Sequence, residues 1–265
     1  MIRFRTVAVV LLASLALVFG VFSAPAQAAL VAHWTFDNEA GGTVPDVTGN
    51  GHDGTLQGGA ALSSDFAPAT GSGKSLALSA SNAEHLFVPA DPGLDSQTFT
   101  LVMFLNRQGP GGGSYPRLTS RQNDRHETSI RQDGTVAYYR TSSNWRDTPA
   151  NVPIAADTSD WTHLAYVHEA GVDMKIYVDG VLVDTNIPLS QDFVDTFMHI
   201  GNRHNNVEGF QGLMDDVALY DEALGAEDIA QIATIGVNGI PEPSSIVLAV
   251  IGLLGCAALR RRRRS

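Results

Sequence analysis

The carboxylate best placed to do chemistry in this sequence is Asp215. In the run at residues 213–220, strict alternation places Asp215 on the same side of a strand as Val217 and Leu219. If that side packs inward, Asp215 is buried, and a buried carboxylate needs either a cation or several N–H donors. The sequence therefore predicts that Asp215 is either a metal ligand or an acceptor for backbone amides.

Two segments carry aromatic and arginine side chains that could hold a sugar. A glycine-rich loop at residues 109–114 leads into Tyr115 and Arg117, and a second loop carries Trp145. Aromatic rings suit the apolar faces of sugar rings, and guanidinium groups donate hydrogen bonds. We predict a ligand surface formed by Tyr115, Arg117, Arg121, Trp145 and Arg146. The alternative is that Trp145 only covers the edge of the fold.

The common catalytic motifs are absent. His126-Glu127 is not followed by a second histidine four residues later, so the zinc-protease motif is missing, and no Gly-x-Ser-x-Gly elbow occurs. The single cysteine, Cys256, allows no disulfide within the chain and no multi-cysteine metal site. A glycosidase pair of carboxylates could arise by folding, but the sequence singles none out. We predict that the protein is not an enzyme.

Charge is distributed unevenly along the 265 residues. The chain has 28 acidic and 17 basic residues; setting aside the seven terminal arginines and Glu242 leaves 27 acids and 10 bases in residues 30–240, a net charge of −17. A domain with this charge should repel nucleic acid and anionic lipid. We therefore expect no nucleic-acid partner.

Residues 30–240 have the pattern of an all-β protein. Short alternating runs are separated by glycine and asparagine turns, and long helical periodicity is absent. Asp179-Gly180 between two such runs suits the left-handed φ values of a type I′ turn. One short helix is predicted at residues 226–233, with Ile229 and Ile232 on its apolar stripe. The pattern predicts an all-β sandwich followed by one short helix.

Three groups of residues in chain order carry a family likeness. They are His33-Trp34-Thr35-Phe36-Asp37 with residues 46–54, Trp161-Thr162-His163-Leu164-Ala165 with residues 176–180, and Ile200-Gly201 with residues 210–217. Together they resemble the laminin G-like, concanavalin A-like jelly-roll family. The resemblance implies two antiparallel sheets packed face to face. The family includes lectins, adhesion modules and polysaccharide-cleaving enzymes, so the fold alone does not select a function.

The resemblance also implies a structural calcium ion between the first strand region and the closing strand. Its ligands on this sequence would be Asp37, Asp46, Asn50 and Asp215. Calcium takes six to eight oxygen ligands, so these groups with carbonyls and waters would suffice. The alternative is that Asp215 accepts from amides while Asp37 and Asp46 form turns. The Glu-x-Asp-x-x-Glu strand of the laminarinase-like branch is absent, which favours a protein without catalytic activity.

The N-terminus has the features of a secretory signal peptide. Arg3 and Arg5 precede an apolar stretch at residues 7–22, and Ala26-Gln27-Ala28 supplies small residues for cleavage. Cleavage after Ala28 would start the mature chain at Ala29. The alternative is an uncleaved membrane anchor.

The C-terminus carries three ordered parts. Pro241-Glu242-Pro243 precedes fourteen uncharged residues at 246–259 and five arginines at 260–264. As a helix the apolar part would span roughly 21 Å, a marginal membrane span, with the arginines on the cytoplasmic side. This order resembles the PEP-CTERM sorting signal of Gram-negative bacteria, which implies that an exosortase, a membrane cysteine protease, reads Pro241, Glu242 and Pro243. An ordinary membrane anchor is the alternative.

These features predict a signal peptide at residues 1–28, a jelly-roll domain at 29–238 and a sorting signal at 239–265. We expect an exported, non-catalytic protein of the cell surface or extracellular matrix that binds carbohydrate or another matrix component. Its expected partners are an exosortase, an extracellular polysaccharide or matrix protein, and the inner membrane transiently through the C-terminal helix. The alternative function is a polysaccharide lyase or glycoside hydrolase on the same fold.

Overall fold

The structure, a computed structural model, describes residues 29–71, 73–80, 83–122, 125–141, 144–149, 153–186 and 196–239. The predicted signal peptide, the predicted membrane helix and the Pro241, Glu242 and Pro243 motif lie outside these residues. Within the described part, no helix has the length and apolar character needed to cross a membrane.

In this part of the chain the structure forms sixteen strands and one α-helix, with 3-10 turns at Pro92–Leu94 and Val237–Gly239. The strands are β1 (Leu30–Trp34), β2 (Thr43–Val44), β3 (Gly54–Gln57), β4 (Ala61–Ser63), β5 (Ser75–Ser79), β6 (His85–Val88), β7 (Phe99–Arg107), β8 (Arg117–Arg121), β9 (Arg125–Ile130), β10 (Val136–Thr141), β11 (Asn144–Asp147), β12 (Thr162–Glu169), β13 (Asp173–Val178), β14 (Val181–Asn186), β15 (Met198–Ile200) and β16 (Gln211–Tyr220). The helix, α1, spans Ala226–Ile235.

The strands form two antiparallel sheets. The back sheet has the order β14-β13-β12-β7-β16-β5-β4, and β1 also pairs with β16. The front sheet has the order β11-β10-β9-β8-β15-β6-β3-β2. Two antiparallel sheets packed face to face with one helix confirm the predicted fold class.

The main core lies between the two sheets. Trp34, Met103 and Tyr166 come from the back sheet, and Leu118 and Ile200 come from the front sheet. All five are fully buried, as expected for alternating strands whose apolar sides meet. The indole N–H of Trp34 donates to the carbonyl of His52 at 2.8 Å, so this core position leaves no polar group without a partner.

The helix covers the outer face of the back sheet. Ile229 and Ile232 of α1 pack against Val102, Phe104 and Val167, which point away from the main core. Glu227 and Asp228 lie in the first helical turn, where acidic groups are favoured by the positive end of the helix dipole. This second apolar layer makes the back sheet buried on both sides.

The strand that carries Asp215 departs from the predicted alternation. The register between β16 and β7 shifts between Asp215 and Ala218, and Asp216 has a φ of +50°. Asp215 therefore lies opposite Phe104 on the helix-covered side, whereas Val217 and Leu219 face the main core. The predicted burial of Asp215 is right and the predicted face is wrong, because a β-bulge adds one residue to the strand.

The glycine-rich segment 109–114 is a loop as predicted, but three residues assigned to loops lie in strands. Arg117 begins β8, and Trp145 and Arg146 lie in β11 at the edge of the front sheet. β8 has the sequence Arg-Leu-Thr-Ser-Arg, which lacks an apolar alternation because Leu118 is its one apolar residue and the other inward residues, Thr119 and Arg121, are polar. Sequence patterns detect such a strand poorly, since they depend on a difference between the two faces.

Candidate functional site

The outer face of the front sheet carries a row of aromatic and polar side chains. Leu86, Tyr138 and Ile200 point into the main core, so their strand neighbours point outward. The α-helix of the described chain packs on the other sheet. We call this surface the front face; it comprises Phe87, Phe197, His85, His199, Ser120, Glu127, Arg203, His204, Glu208, Arg117, Tyr115, Trp145 and Arg131.

Three of the predicted ligand-binding residues meet at one end of the front face. The rings of Tyr115 and Trp145 stack with centroids 4.4 Å apart and planes 15° from parallel. The Arg117 guanidinium lies 4.4 Å from the centroid of the Trp145 ring, and that of Arg131 lies 4.9 Å from the Tyr115 ring. Cation–π contacts of this kind fix the rings in place. The stack is a rigid wall whose aromatic faces contact other side chains of the protein.

The other predicted residues of this group point elsewhere. Nε of Arg146 lies 3.5 Å from the Asp184 carboxylate on β14, so it bridges the edges of the two sheets. Arg121 points inward, where its guanidinium donates to the Asp95 carboxylate at 2.7 Å and to the carbonyl of Leu94 at 2.7 Å. Arg146 and Arg121 therefore do not join Tyr115, Arg117 and Trp145.

Arg117 is the centre of a buried charge network. Its Nε lies 3.0 Å from the Glu127 carboxylate, and its Nη2 lies 3.1 Å from the Glu208 carboxylate. Arg203 pairs with the same two carboxylates, at 3.7 Å from Glu127 and 3.2 Å from Glu208. Arg117 and Glu127 are only 2% and 1% exposed, and burial lowers the pKa of Arg117. Two arginines and two glutamates thus balance one another beneath the aromatic wall.

Ser120 and His204 continue the hydrogen-bond network across the front face. The Ser120 hydroxyl donates to the Glu127 carboxylate at 2.7 Å. Nδ1 of His204 lies 3.4 Å from the Ser120 hydroxyl and 3.8 Å from Glu127, and the backbone N–H of His204 donates to the same hydroxyl at 3.1 Å. These contacts hold the loop after β15 against β8 and β9.

A second aromatic group lies at the other end of the front face. His85 and His199 stack with centroids 3.8 Å apart, and Phe87 and Phe197, both partly exposed, lie 5.5 Å apart beside them. Burial lowers the pKa of His85, and burial together with the neighbouring His85 lowers the pKa of His199 to about 4. Both rings are therefore neutral near pH 7.

Strand pairing sets the distance between the phenylalanine pair and the charge network. Phe87 on β6 is opposite His199 on β15, which is opposite Ser120 on β8. Two strand spacings separate β6 from β8, about 10 Å.

Asp46 and Asn50, two of the predicted calcium ligands, lie together in the first hairpin. Asp46 accepts from the backbone N–H groups of His33, Thr48 and His52 and from the Thr48 hydroxyl at 2.7 Å. Burial would raise the pKa of Asp46, but these hydrogen bonds outweigh it and the pKa is lowered. The Asn50 amide donates to the carbonyl of Val31 at 2.8 Å. Both side chains stabilise the turn.

The other two predicted ligands have different neighbours. Asp37 accepts from the backbone N–H groups of Gly73 and Lys74 at 2.9 and 3.0 Å. Asp215 accepts from the N–H of Ala67 at 3.0 Å, from the Thr70 hydroxyl at 3.2 Å and from the N–H of Asp216 at 2.8 Å. Burial raises the pKa of Asp215 to about 7, and the adjacent Asp216 carboxylate adds to this rise.

These contacts do not fit a calcium centre shared by the four predicted ligands. The carboxylate oxygens of Asp37, Asp46 and Asp215 accept from N–H and O–H donors, as in the alternative stated for these residues. Within the described ranges, no group of three or more histidine, cysteine, aspartate and glutamate side chains is arranged to hold a metal ion. Calcium binding by this chain stays a prediction.

Sequence analysis missed most of the front face. Glu127, Arg203 and Glu208 were not predicted as site residues, and no spacing in the sequence links them. His85 and His199 are more than a hundred residues apart in the chain, yet their rings stack. Only strand pairing between β6 and β15 brings them together, which no local pattern records.

The fold defines a class of protein, a jelly-roll β-sandwich in which the α-helix of the described residues covers one sheet. The model of the concanavalin A-like lectin/glucanases superfamily matches residues 71–230, and the chain belongs to that family. The model of the PEP-CTERM protein-sorting motif matches residues 239–264. That motif indicates export to the surface or exterior of Gram-negative bacteria and implies processing by an exosortase. Comparison with curated proteins gives no match.

Solved structures share the fold at low sequence identity. Domain 4 of the extracellular arabinanase AbnA from Geobacillus stearothermophilus, solved with arabinotriose, has a TM-score of 0.62 and 22% identity, covering 78% of this chain and 99% of that one. The binding domain of Paraclostridial Mosquitocidal Protein 1 has a TM-score of 0.58 and 15% identity, covering 77% and 51%. Trypanosoma rangeli sialidase, solved with sialic acid, has a TM-score of 0.57 and 14% identity, covering 77% and 32%.

Proposed function

We propose that this chain is an exported, non-catalytic protein that binds carbohydrate of the cell surface or extracellular matrix on its front face. The observation that carries the proposal is the arrangement of aromatic and hydrogen-bonding side chains on the one sheet face that the helix does not cover. Sugar rings have apolar C–H faces and hydroxyl edges, so they need both kinds of partner. The arabinanase domain with its bound arabinotriose gives the same fold a precedent for an oligosaccharide ligand.

The partly exposed rings of Phe87 and Phe197 are the proposed contacts for the apolar face of a sugar. The rings of Tyr115 and Trp145 contact each other and two guanidinium groups, so they border the ligand as a wall. His204, whose side chain is 18% exposed, lies between these groups and is the proposed hydrogen-bond partner for sugar hydroxyls. Export and processing through the PEP-CTERM motif would place this face outside the cell.

The experiment is retention of the exported chain on a panel of insoluble polysaccharides, with the double variant Phe87→Ala, Phe197→Ala as the test. Each aromatic contact contributes about 0.5–1.5 kcal/mol beyond area burial, so we expect roughly ten-fold weaker retention on the bound polymer. The control is Val172→Ser, which changes an apolar side chain that is 56% exposed at the β12–β13 turn. Retention that both variants leave unchanged would contradict the proposed location, and retention on no polymer would contradict the proposed function.

A hydrolase is a second candidate, because Glu127 and Glu208 approach the same guanidinium on the front face. A glycosidase needs two carboxylates about 5 to 10 Å apart across a cleft, with one able to give a proton to the substrate. Glu127 is 1% exposed, and Arg117 and Arg203 stabilise its charged form, which argues against the role of an acid. Release of reducing ends from a polysaccharide, abolished by Glu127→Gln and Glu208→Gln, would favour the hydrolase over the binding protein.

A further inference from the structure

The charges of the front face bear on the kind of sugar that it accepts, and this step rests on the proposed function. We propose that the front face selects uncharged glycans and rejects those that carry carboxylate or sulfate groups. The arginines of this region whose side chains are described are already paired with carboxylates of the protein.

All three nitrogens of the Arg117 guanidinium contact other groups of the protein. Its Nε and Nη2 contact Glu127 and Glu208, and its Nη1 donates to the carbonyl of Tyr115. Recognition of a sugar carboxylate by arginine normally uses two parallel N–H donors on one edge of the group. On Arg117 that edge is shared by two glutamates, so a uronate would have to displace one of them.

The other described arginines of the region are paired as well. Arg203 contacts Glu127 and Glu208, and Arg131 lies 2.5 Å from the Asp147 carboxylate. At the sheet edge, Arg146 contacts Asp184. An incoming carboxylate would therefore meet the carboxylates already present, and like charges at short range cost affinity.

Hydrogen-bonding groups lie between the aromatic ends. Ser120 is fully buried and donates to Glu127, the His204 side chain is 18% exposed, and the lowered pKa of His199 keeps its ring uncharged near pH 7. The net charge of −17 over residues 30–240 adds a repulsive field at longer range. Physiological salt screens that field beyond about 8 Å, so the local pairing at Arg117 has to supply the discrimination.

The test compares binding of the full exported chain to soluble neutral polymers, such as arabinan, β-glucan and galactomannan, with binding to polygalacturonate, alginate and a sulfated glycan. We expect at least one neutral polymer to bind, with less than a two-fold change in affinity between 50 and 500 mM NaCl. We expect the anionic polymers to bind at least ten-fold more weakly. Binding of an anionic polymer that weakens steeply with salt would overturn the charge selectivity and leave the proposed function standing. Binding of no polymer would overturn both.

A gain of binding tests the role of the paired arginines. Glu208→Gln keeps the shape of a side chain that is 20% exposed, but it removes one negative charge from Arg117 and Arg203. We expect this variant to bind polygalacturonate several-fold more tightly than the unmodified chain. The matched control is Glu227→Gln, which makes the same change in net charge on an exposed residue of α1. Equal binding by the two variants would show that the pairing does not exclude anions, and the proposal would fail.

Discussion

The two outer faces of the sandwich are built from different chemistry. The back face packs Val102, Phe104 and Val167 under the apolar stripe of α1. The front face buries Arg117 and Glu127 as an ion pair in a region that α1 does not cover. Apolar burial stabilises a fold directly. Charged groups lose hydration free energy when they are buried, and only close pairing with an opposite charge compensates for that loss. Apolar packing therefore stabilises the back face, whereas paired charges lie on the front face, where we propose that a ligand binds.

The largest expected loss of unfolding free energy comes from a substitution on the front face, Arg117→Met. This change removes the main cation between Glu127 and Glu208 and leaves a buried carboxylate with weaker partners. Breaking a buried ion pair from one side costs about 3–5 kcal/mol, measured here as the free energy of urea unfolding. The same substitution at Arg131, whose side chain is 35% exposed, should cost no more than about 1 kcal/mol. Equal losses at the two positions would mean that burial of Arg117 carries no special cost.

The next largest loss of unfolding free energy is expected from a substitution on the back face, Ile232→Ala. Ile232 is fully buried between α1 and the back sheet, so its truncation removes apolar contacts and leaves a space. We expect a loss of about 2–3 kcal/mol, the lower part of the usual range because a surface helix can move toward the space. Ile235→Ala, at a residue of the same helix that is 46% exposed, should change stability by less than about 0.5 kcal/mol.

Glycan retention, measured beside the melting midpoint, distinguishes the roles of the two faces. If the back face serves stability alone, Ile232→Ala should lower the melting midpoint and leave glycan retention unchanged at temperatures where the protein is folded. Loss of glycan retention by folded Ile232→Ala would contradict the claim that the back face contributes only to stability. Loss of retention in Phe87→Ala, Phe197→Ala with little loss of stability would sharpen it.

The third prediction is that Asp215, on the back face, makes the free energy of unfolding depend on pH. Burial raises the pKa of Asp215 from its ordinary 3.8 to about 7. Between those values the folded state holds a proton that the unfolded chain has lost, so stability falls as pH rises from about 4 to 7 and is then constant. Each pKa unit corresponds to about 1.4 kcal/mol, so a rise of about three units corresponds to a change on the order of 4 kcal/mol.

The measurement compares unfolding free energies of the unmodified chain and Asp215→Asn across pH 4.5 to 8. As pH rises, the unmodified chain should lose stability relative to Asp215→Asn, because the variant lacks the titrating carboxyl group. Asp46→Asn is the control, because hydrogen bonding lowers the pKa of Asp46 and moves its pH dependence below about pH 4. A difference for Asp215→Asn that does not vary with pH would contradict the raised pKa.

Local patterns predicted the parts of the fold that local physics determines. Asp179 and Gly180 have φ values of 49° and 77°, as the predicted type I′ turn requires. The predicted helix at residues 226–233 is α1, and Ile229 and Ile232 do form its buried stripe. In each case the residues that determine the structure are adjacent or one helical turn apart.

The rest depended on contacts between distant segments. Asp216 adopts a positive φ at a β-bulge that the sequence of residues 213–220 does not predict. The bulge places Asp215 on the helix-covered side of the back sheet. The charge network joins Arg117 to residues from β9 and from the loop before β16. Tyr115 and Trp145 were predicted from their types, but their mutual stacking required the pairing of β10 with β11.

A smaller effect is expected where the two sheets meet at one edge. Arg146 on β11 and Asp184 on β14 lie 3.5 Å apart, and the Arg146 side chain is 45% exposed. Exposed ion pairs contribute about 0–1 kcal/mol, so Arg146→Ala should reduce the unfolding free energy by less than about 1 kcal/mol. We also expect unchanged glycan retention, since Arg146 points away from the front face. A ten-fold loss of retention would place the ligand at this edge instead.

The smallest effect concerns calcium, for which we expect no shift of the melting midpoint between excess EDTA and 1 mM calcium chloride. An ion bound only to the folded state would add about 4 kcal/mol at a thousand times its dissociation constant, a large and visible change. Asp37, Asp46 and Asp215 accept from N–H donors in three separate places, so an ion would have to replace hydrogen bonds that already stabilise these carboxylates. A rise of several degrees with calcium, lost in Asp215→Asn and retained in Lys175→Ala, would show instead that the closing strand holds the ion that the family resemblance implies.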